Sequence, residues 1–286
     1  MSLKKLSLGT ANFSKSYGKI SNSKVSLREI KKILSYSKKK KINFLDTALN
    51  YNNTGTLKNF EIKNWKIITK INCNKSNKKN YLINLKKKFN LSNIYCVLIH
   101  LKNESEILSK KNIHFYNLLN ELKKKKVIKK IGFSVYSPKD VKLIIKKFKV
   151  DLMQCPINII DTRFVDQGLL KKLKKKKIEI HARSIFLQGA LLKNYNDLPI
   201  TFKPWKNVFK IWDDYVKGLN ISKLEACVNF VKQLKEIDKI IVGIDNVNQL
   251  KQICKVLNKK KKINFKNFNL KKDRKFTKLI DPRKWN

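Results

Sequence analysis

The chain has 286 residues, 42% of them hydrophobic, and a formal net charge of +47 at pH 7. Its length suits a barrel of ~250 residues, and its hydrophobic share, close to the ~45–50% of globular proteins, excludes a disordered chain. The basic residues comprise 62 lysines and only five arginines. Because phosphate and base recognition favour the forked guanidinium of arginine, we expect no nucleic-acid partner, although anionic small molecules would be attracted.

The cysteines give no sign of a disulfide framework or a metal site. All five are widely spaced and none forms a C-x-x-C pair, so we predict reduced core thiols. No stretch approaches the ~20 apolar residues of a membrane span, and no apolar signal region precedes the first strand-like run. We therefore expect a cytoplasmic protein without a membrane span and without a bound metal.

Short β-rich runs alternate with longer amphipathic segments along the chain, the pattern of parallel βαβ units. The predicted strands lie at 5–10, 43–47, 66–71, 94–100, 130–135, 151–156, 178–184 and 239–243. Helices are predicted to begin at Ser26, a polar cap, and at Ser137, which is followed by a proline suited to a first helical turn. Four lysine runs, at 38–41, 123–126, 174–177 and 259–262, end amphipathic segments, where cations oppose the negative helix terminus.

These elements predict an α/β fold, a (β/α)8 TIM barrel forming a single domain over residues 1–286. The alternative, an open doubly wound sheet, needs a glycine-rich phosphate turn after an early strand, and only Gly9 is present there. The longest gap between predicted strands, 184–239, predicts an extended loop over the barrel mouth, where ligands are covered.

Four ionisable residues fall at the carboxyl ends of successive predicted strands. Asp46 ends the second strand, Tyr51 follows it in the loop, Lys70 ends the third strand, and His100 ends the fourth. Since catalytic groups of barrels cluster at this end, we expect all four to face one cavity. Each residue by itself has an ordinary structural interpretation, such as a cap, a loop aromatic or a core histidine. Their combination favours a catalytic group.

The chemistry that fits this group is carbonyl reduction, in which hydride transfer builds negative charge on oxygen and an acid must neutralise it. A phenol has an unperturbed pKa of about 10, and a close ammonium lowers that pKa by favouring the phenolate. We therefore predict Tyr51 as general acid, Lys70 as the ammonium, Asp46 as the partner of Lys70, and His100 as a hydrogen-bond donor to the carbonyl.

The chain resembles the aldo-keto reductases along nearly its whole length. The similar segments are LSLGTANFSKSYG, NFLDTALNY, IITK, VLIH, KKIGFSVYSP, DLMQCPINIID, IEIHARSIFLQGALL and IIVGIDNVNQL. YGKISN, NIIDTRF, RSIFLQG and the closing DPRKW are most similar to a bacterial branch associated with surface-sugar biosynthesis. The resemblance implies a reductase that uses NADPH or NADH, and it implies the same roles for the four predicted residues.

The resemblance also implies a cofactor site. Ser134 and Gln154 would hold the nicotinamide amide, and Arg183 would take the place of the aromatic residue that packs on the nicotinamide ring. Ser184, Leu187 and Gly189 would lie along the pyrophosphate. Gly243, Asp245 and Gln249 would border the adenosine end. The substrate implied is a small-molecule carbonyl compound, an acidic or nucleotide-linked sugar.

Three departures from the family pattern bear on these roles. The catalytic tyrosine is usually followed by glycine and then a glutamate, but here Tyr51 precedes Asn52 and Asn53. Val135 replaces an asparagine that often helps to hold the nicotinamide. Asp245 falls near where NADPH-preferring relatives present a cation to the 2′-phosphate, which a carboxylate repels; the neighbouring Lys251 would offset this, so both cofactors stay open.

The altered loop after Tyr51 supports an alternative function. In it, the barrel binds the cofactor without efficient turnover and acts as a redox-sensing or interaction subunit.

Overall fold

Eight parallel strands close into a barrel in chain order, from β1 beside β2 round to β8 beside β1. The computed structural model describes residues 3–14, 20, 24–51, 53–101, 103–260, 262–265, 268–270 and 273–285. The strands are β1 Leu6–Gly9, β2 Phe44–Ala48, β3 Lys66–Ile71, β4 Ile94–His100, β5 Ile128–Ser134, β6 Leu152–Pro156, β7 Glu179–Arg183 and β8 Lys239–Gly243. All eight predicted strands are present, with ends that move by at most two residues, and the predicted (β/α)8 barrel is confirmed.

Helices connect the strands and pack on the barrel. They are α1 Leu27–Lys39, α2 Thr54–Leu57, α3 Lys78–Lys88, α4 Lys110–Lys124, α5 Pro138–Lys147, α6 Arg163–Asp166, α7 Leu169–Lys175, α8 Lys206–Gly218, α9 Lys223–Gln233, α10 Val247–Asn258 and α11 Arg274–Leu279. Short 3-10 segments include Leu49–Tyr51, Leu187–Leu192 and Pro282–Lys284.

The two predicted helix starts are confirmed by their caps. Ser26 accepts a hydrogen bond from the Glu29 N–H at the start of α1. At the start of α5, Ser137 and Asp140 form a reciprocal capping box, with Pro138 in the first turn. Each cap satisfies amide groups that a helix leaves unpaired at its start.

The lysine runs lie at helix ends, as predicted. The first three runs span the carboxyl ends of α1, α4 and α7, and the fourth follows α10. Most of their side chains are exposed, and Lys261 lies outside the described residues. Cations at these positions oppose the partial negative charge of the helix terminus and remain hydrated.

The barrel interior is packed too closely for a side chain at Gly132 of β5. A Cβ atom there would lie 2.3 Å from the carbonyl oxygen of Leu152 and 2.7 Å from the Leu98 side chain. Phe44, Ile68, Cys96, Leu98 and Leu152 form the small apolar cluster at this level. A larger cluster fills the space between strands and helices. The glycine therefore sets how closely β5 approaches β6.

The segment between β7 and β8 contains α8 and α9 and contributes many residues to the cavity at the barrel mouth, as predicted for the long gap. Its apolar side chains form a separate cluster with the carboxyl-terminal segment, including Trp212, Phe202 and Trp285. The indole N–H of Trp212 donates to the Leu191 carbonyl at 2.9 Å, which ties α8 to the loop after β7. This cluster supports one wall of the mouth.

All five cysteines are buried, and none forms a disulfide. Within the described ranges no helix combines the length and apolar character needed to cross a bilayer. No group of three or more His, Cys, Asp or Glu side chains in that part of the chain is arranged to hold a metal ion.

Candidate active site

A cavity of about 1860 Å³ opens at the carboxyl ends of the strands. The predicted residues that line it are Asp46, Tyr51, Lys70, His100, Ser134, Gln154, Arg183, Ser184, Gly189, Gly243, Asp245 and Gln249. Leu187 is not among its lining residues, because its side chain is buried in the cluster beneath the mouth. The structure therefore brings the predicted catalytic residues and all but one of the predicted cofactor residues to one cavity.

Asp46 and Lys70 form a buried ion pair, in which the Lys70 ammonium donates to Oδ2 of Asp46. The side chains are only 5% and 8% exposed, so water screens the pair little. Gln154 donates its amide N–H to the other Asp46 oxygen at 2.9 Å. Both carboxylate oxygens are thus bonded, as a buried charge requires.

Asp46 and Lys70 lie just before the ends of their strands. β3 ends at Ile71, as predicted, whereas β2 continues to Ala48, one residue beyond its predicted end, because Ala48 pairs with Lys70. Asp46 therefore lies deeper in the barrel than predicted.

Tyr51 lies in the 3-10 segment Leu49–Tyr51 directly after β2. The Lys70 ammonium nitrogen is 5.4 Å from the centroid of its ring. Within ~6 Å, a cation interacts favourably with an aromatic face. Tyr51, Lys70 and Asp46 therefore form a continuous chain of contacts from the loop into the barrel.

The loop after Tyr51 is fastened by Asn53, although Asn52 lies outside the described residues. Asn53 is buried and donates to the carbonyl oxygen of Thr10 at 3.0 Å and to its hydroxyl at 2.6 Å. Its side-chain oxygen accepts from the Thr47 hydroxyl at 2.9 Å. One side chain thus joins the loop to β2 and to the end of β1, and it fixes the backbone two residues beyond the tyrosine.

His100 ends β4, as predicted, and its imidazole lies in a cationic environment. Burial, followed by repulsion from Arg183, Lys70 and Arg283, lowers the pKa of His100 to about 3. The imidazole is therefore neutral near pH 7. A neutral imidazole has one N–H donor and one acceptor nitrogen, so it can donate a hydrogen bond without bringing a further charge.

Two arginines contact the ring of Tyr136 beside His100. The guanidinium carbon of Arg183 lies 4.4 Å from the centroid of the Tyr136 ring, and that of Arg283 lies 3.6 Å from it. The ring is 5.8 Å from the imidazole of His100. Arg283 also pairs with Asp281, so the carboxyl-terminal segment brings a cation to the mouth.

Three buried polar atoms on the β5–β7 side have no hydrogen-bond partner within the described residues. They are Oγ of Ser134, Oε1 of Gln154 and Nε of Arg183. Ser134 and Gln154 are paired neighbours on β5 and β6. Unsatisfied buried polar atoms cost about 1–3 kcal/mol each, so their concentration at a cavity indicates a place for a polar ligand.

The backbone after β7 adopts unfavourable conformations beside the same cavity. Ser184, Leu187 and Gln188 have φ of 58°, 48° and 54°, and Gly189 has φ of 96°. The left-handed region costs about 1–2 kcal/mol for a residue with a Cβ atom. Such a concentration of strain is typical of ligand-binding segments.

After β8, Asp245 lines the same cavity and is held by neutral amides. Asn12 donates to Oδ1 of Asp245 at 2.6 Å, and the Gln249 amide donates to Oδ2 at 3.4 Å. No cation within the described ranges forms an ion pair with it. Lys251 is exposed and does not line the cavity.

Sequence reasoning missed four residues that shape this site, namely Asn12, Asn53, Tyr136 and Arg283. Three of them lay in segments already singled out by resemblance, Asn12 in LSLGTANFSKSYG, Tyr136 in KKIGFSVYSP and Arg283 in DPRKW. No local pattern marks an anchor such as Asn53, because its partners lie on strands distant in sequence.

The chain matches the Aldo/keto reductase family over residues 5–268. An aldo-keto reductase from Bacillus halodurans, in its holo form, superposes with a TM-score of 0.69 at 15% identity, covering 97% of this chain and 92% of that one. A Pseudomonas aeruginosa protein assigned to the aldo-keto reductases gives 0.65 at 17% identity, covering 88% and 89%. These likenesses show the fold, and no curated protein sequence gives a match. Because the family match spans nearly the whole chain and the barrel agrees with it, the chain belongs to the Aldo/keto reductase family.

Proposed function

We propose that the protein reduces an aldehyde or ketone with NADH or NADPH, and that Tyr51 is the proton donor. Reduction of carbonyl compounds with a nicotinamide cofactor is the general activity of its family. The observation that carries the assignment of residues is the chain of contacts from Tyr51 through Lys70 to Asp46 in a cavity that His100 also lines.

Each of these residues has a defined task in the proposed reaction. Tyr51 protonates the substrate oxygen as negative charge develops on it. The Lys70 ammonium stabilises the resulting phenolate, and Asp46 holds that ammonium in place. The neutral imidazole of His100 orients the carbonyl by donating a hydrogen bond.

The β5–β7 wall fits a nicotinamide. When bound, the reduced cofactor supplies the hydride. The unpartnered oxygens of Ser134 and Gln154 match the donors of a carboxamide, and the Arg183 guanidinium can cover the ring face. Ser184 and Gly189 border the pyrophosphate in this proposal, and Leu187 takes part through its backbone. Gly243, Asp245 and Gln249 border the adenosine.

Asp245 favours NADH over NADPH in this proposal. Its carboxylate has amide partners and no paired cation in the described part of the chain, so it is suited to accept from a ribose 2′-hydroxyl and repels a 2′-phosphate.

The cations near His100 favour a substrate that carries negative charge. Arg183 and Arg283 both contact the Tyr136 ring, and both lower the pKa of His100. An acidic or nucleotide-linked sugar with a carbonyl group fits this environment. The alternative, a cofactor-binding subunit without efficient turnover, loses its main support because Asn53 anchors the altered loop.

The test compares Tyr51→Phe with the wild-type protein in two assays. Quenching of tryptophan fluorescence gives the dissociation constants for NADH and NADPH, and consumption of reduced cofactor is followed with a panel of carbonyl substrates. Tyr51→Phe is expected to lose at least 100-fold in kcat while its cofactor affinity stays within about twofold. Full activity in the variant refutes Tyr51 as the proton donor, and the absence of cofactor binding by the wild type refutes the function itself.

A further inference from the structure

The opposite, amino-terminal end of the barrel contains a second cavity, of about 460 Å³. Seven of its eleven lining residues are lysines, and only two are carboxylates. Lysine makes up 62 of the 286 residues of the chain, so the cavity is about threefold richer in lysine than the sequence as a whole. Its volume lies within the ~300–1,000 Å³ range of small-ligand pockets.

Both carboxylates of this cavity already have partners. Glu179 is bonded by Lys130, by the Tyr95 hydroxyl at 2.7 Å and by the His181 ring at 2.7 Å. Asp238 is bonded by Lys174 through both oxygens, at 2.9 and 3.0 Å. Both also attract Lys239, and Asp238 attracts Lys5, so two carboxylates are shared among seven lining lysines.

Five of the seven lining lysines form no ion pair within the described ranges, namely Lys4, Lys5, Lys66, Lys177 and Lys239. The Lys239 ammonium donates to the carbonyl oxygen of Lys4. The Lys5 ammonium is buried and has no hydrogen-bond partner among the residues that the structure describes. The Lys239 ammonium lies 3.8 Å from the centroid of the Phe44 ring, and the Lys66 ammonium lies 5.1 Å from the same centroid. Two cations thus share one aromatic ring. Burial lowers the pKa of Lys239 to about 8 and also lowers that of Lys5, even though nearby carboxylates attract both ammonium groups.

We propose that this cavity binds a polyphosphate chain, either free or as part of a nucleotide. Several separate ammonium groups match a chain of phosphates, since lysine binds phosphate as a point charge. The aromatic rings are covered by ammonium groups, as Lys130 also lies 4.9 Å from the Tyr95 ring centroid, so they offer no free face for a stacked base. The site is independent of the proposed reductase activity.

The test is isothermal titration of the full chain with tripolyphosphate. The double variant Lys66→Gln/Lys239→Gln removes two of the unpaired cations. Its matched control, Lys31→Gln/Lys142→Gln, removes the same charge from exposed positions on α1 and α5. Wild type and control are expected to bind one equivalent saturably with affinities within twofold of each other, and the cavity variant at least tenfold more weakly. Thermal unfolding checks that all three proteins are folded.

Two results overturn the proposal. If the control variant binds tripolyphosphate as weakly as the cavity variant, the affinity depends on net charge alone. If the wild type shows no saturable binding, the cavity is not a polyphosphate site. Should the cavity double variant fail to fold, Lys66→Gln alone, at an exposed position, is compared with Lys31→Gln by the same criteria. A parallel titration with magnesium-free ATP distinguishes a free polyphosphate from the polyphosphate chain of a nucleotide. ATP that binds as tightly as tripolyphosphate supports a nucleotide ligand, and ATP that binds more weakly supports a free polyphosphate.

Discussion

Replacing His100 is expected to change how the stability of the protein depends on pH. The native imidazole has a pKa of about 3, because it is buried and faces Arg183, Lys70 and Arg283. In the unfolded chain the imidazole has a pKa of about 6.5. Between these two values the unfolded state binds a proton that the native state does not, so the native state loses stability as the pH falls below about 6.5.

The size of the effect follows from these two pKa values. At pH 5 the imidazole is almost fully protonated in the unfolded chain and neutral in the native protein, whereas at pH 7 it is mostly neutral in both. The difference destabilises the native state by about 2 kcal/mol on going from pH 7 to pH 5. His100→Gln keeps a hydrogen-bonding side chain but removes this proton, so the variant is expected to lose about 2 kcal/mol less than wild type over that interval.

Urea unfolding at pH 7 and pH 5 measures this difference for wild type, His100→Gln and the control His114→Gln. His114 is exposed on α4, and its replacement is expected to leave the wild-type pH dependence unchanged. The reasoning is refuted if His100→Gln and wild type lose the same free energy of unfolding between the two pH values. A general loss of stability at both pH values does not affect the test, because only the difference is used.

Three further substitutions test other parts of the structure. Asn53→Ala is expected to lower kcat at least tenfold in steady-state kinetics, because the loop that carries Tyr51 loses its anchor. Its cofactor affinity is expected to stay within twofold of wild type, and an unchanged kcat would contradict the role of Asn53. Asp245→Asn removes the charge that opposes a 2′-phosphate. Fluorescence titration is expected to show the ratio of the NADH and NADPH dissociation constants shifted about tenfold in favour of NADPH, and an unchanged ratio would contradict the role of Asp245. Gly132→Ala places a Cβ atom 2.3 Å from the Leu152 oxygen. It is expected to lower the free energy of unfolding, measured with urea, by about 1–3 kcal/mol, and a variant as stable as wild type would contradict this.

The central part of the site was predictable because its residues follow strands in a regular order. In a parallel barrel every strand places its carboxyl end at the same rim, so strand positions alone predict that Tyr51, Lys70 and His100 share a cavity. Ser134 and Gln154 were predicted from the family resemblance alone, and the structure places them as neighbours on paired strands. The exact depth of Asp46 was not predictable, because the ends of a strand depend on pairing with the adjacent strand.

The sequence by itself determined the strand and helix pattern, the closed barrel and the positions of the predicted catalytic residues, because these depend on local periodicity and on a regular topology. Only the tertiary structure decided which side chains surround each group. The low pKa of His100 comes first from burial and then from repulsion by Arg183, Lys70 and Arg283. The fastening of the Tyr51 loop comes from the contact of Asn53 with Thr10. The lysine-lined cavity likewise gathers side chains from distant strands. Such environments arise when the barrel closes and brings residues distant in sequence together, and no short pattern in the sequence encodes them.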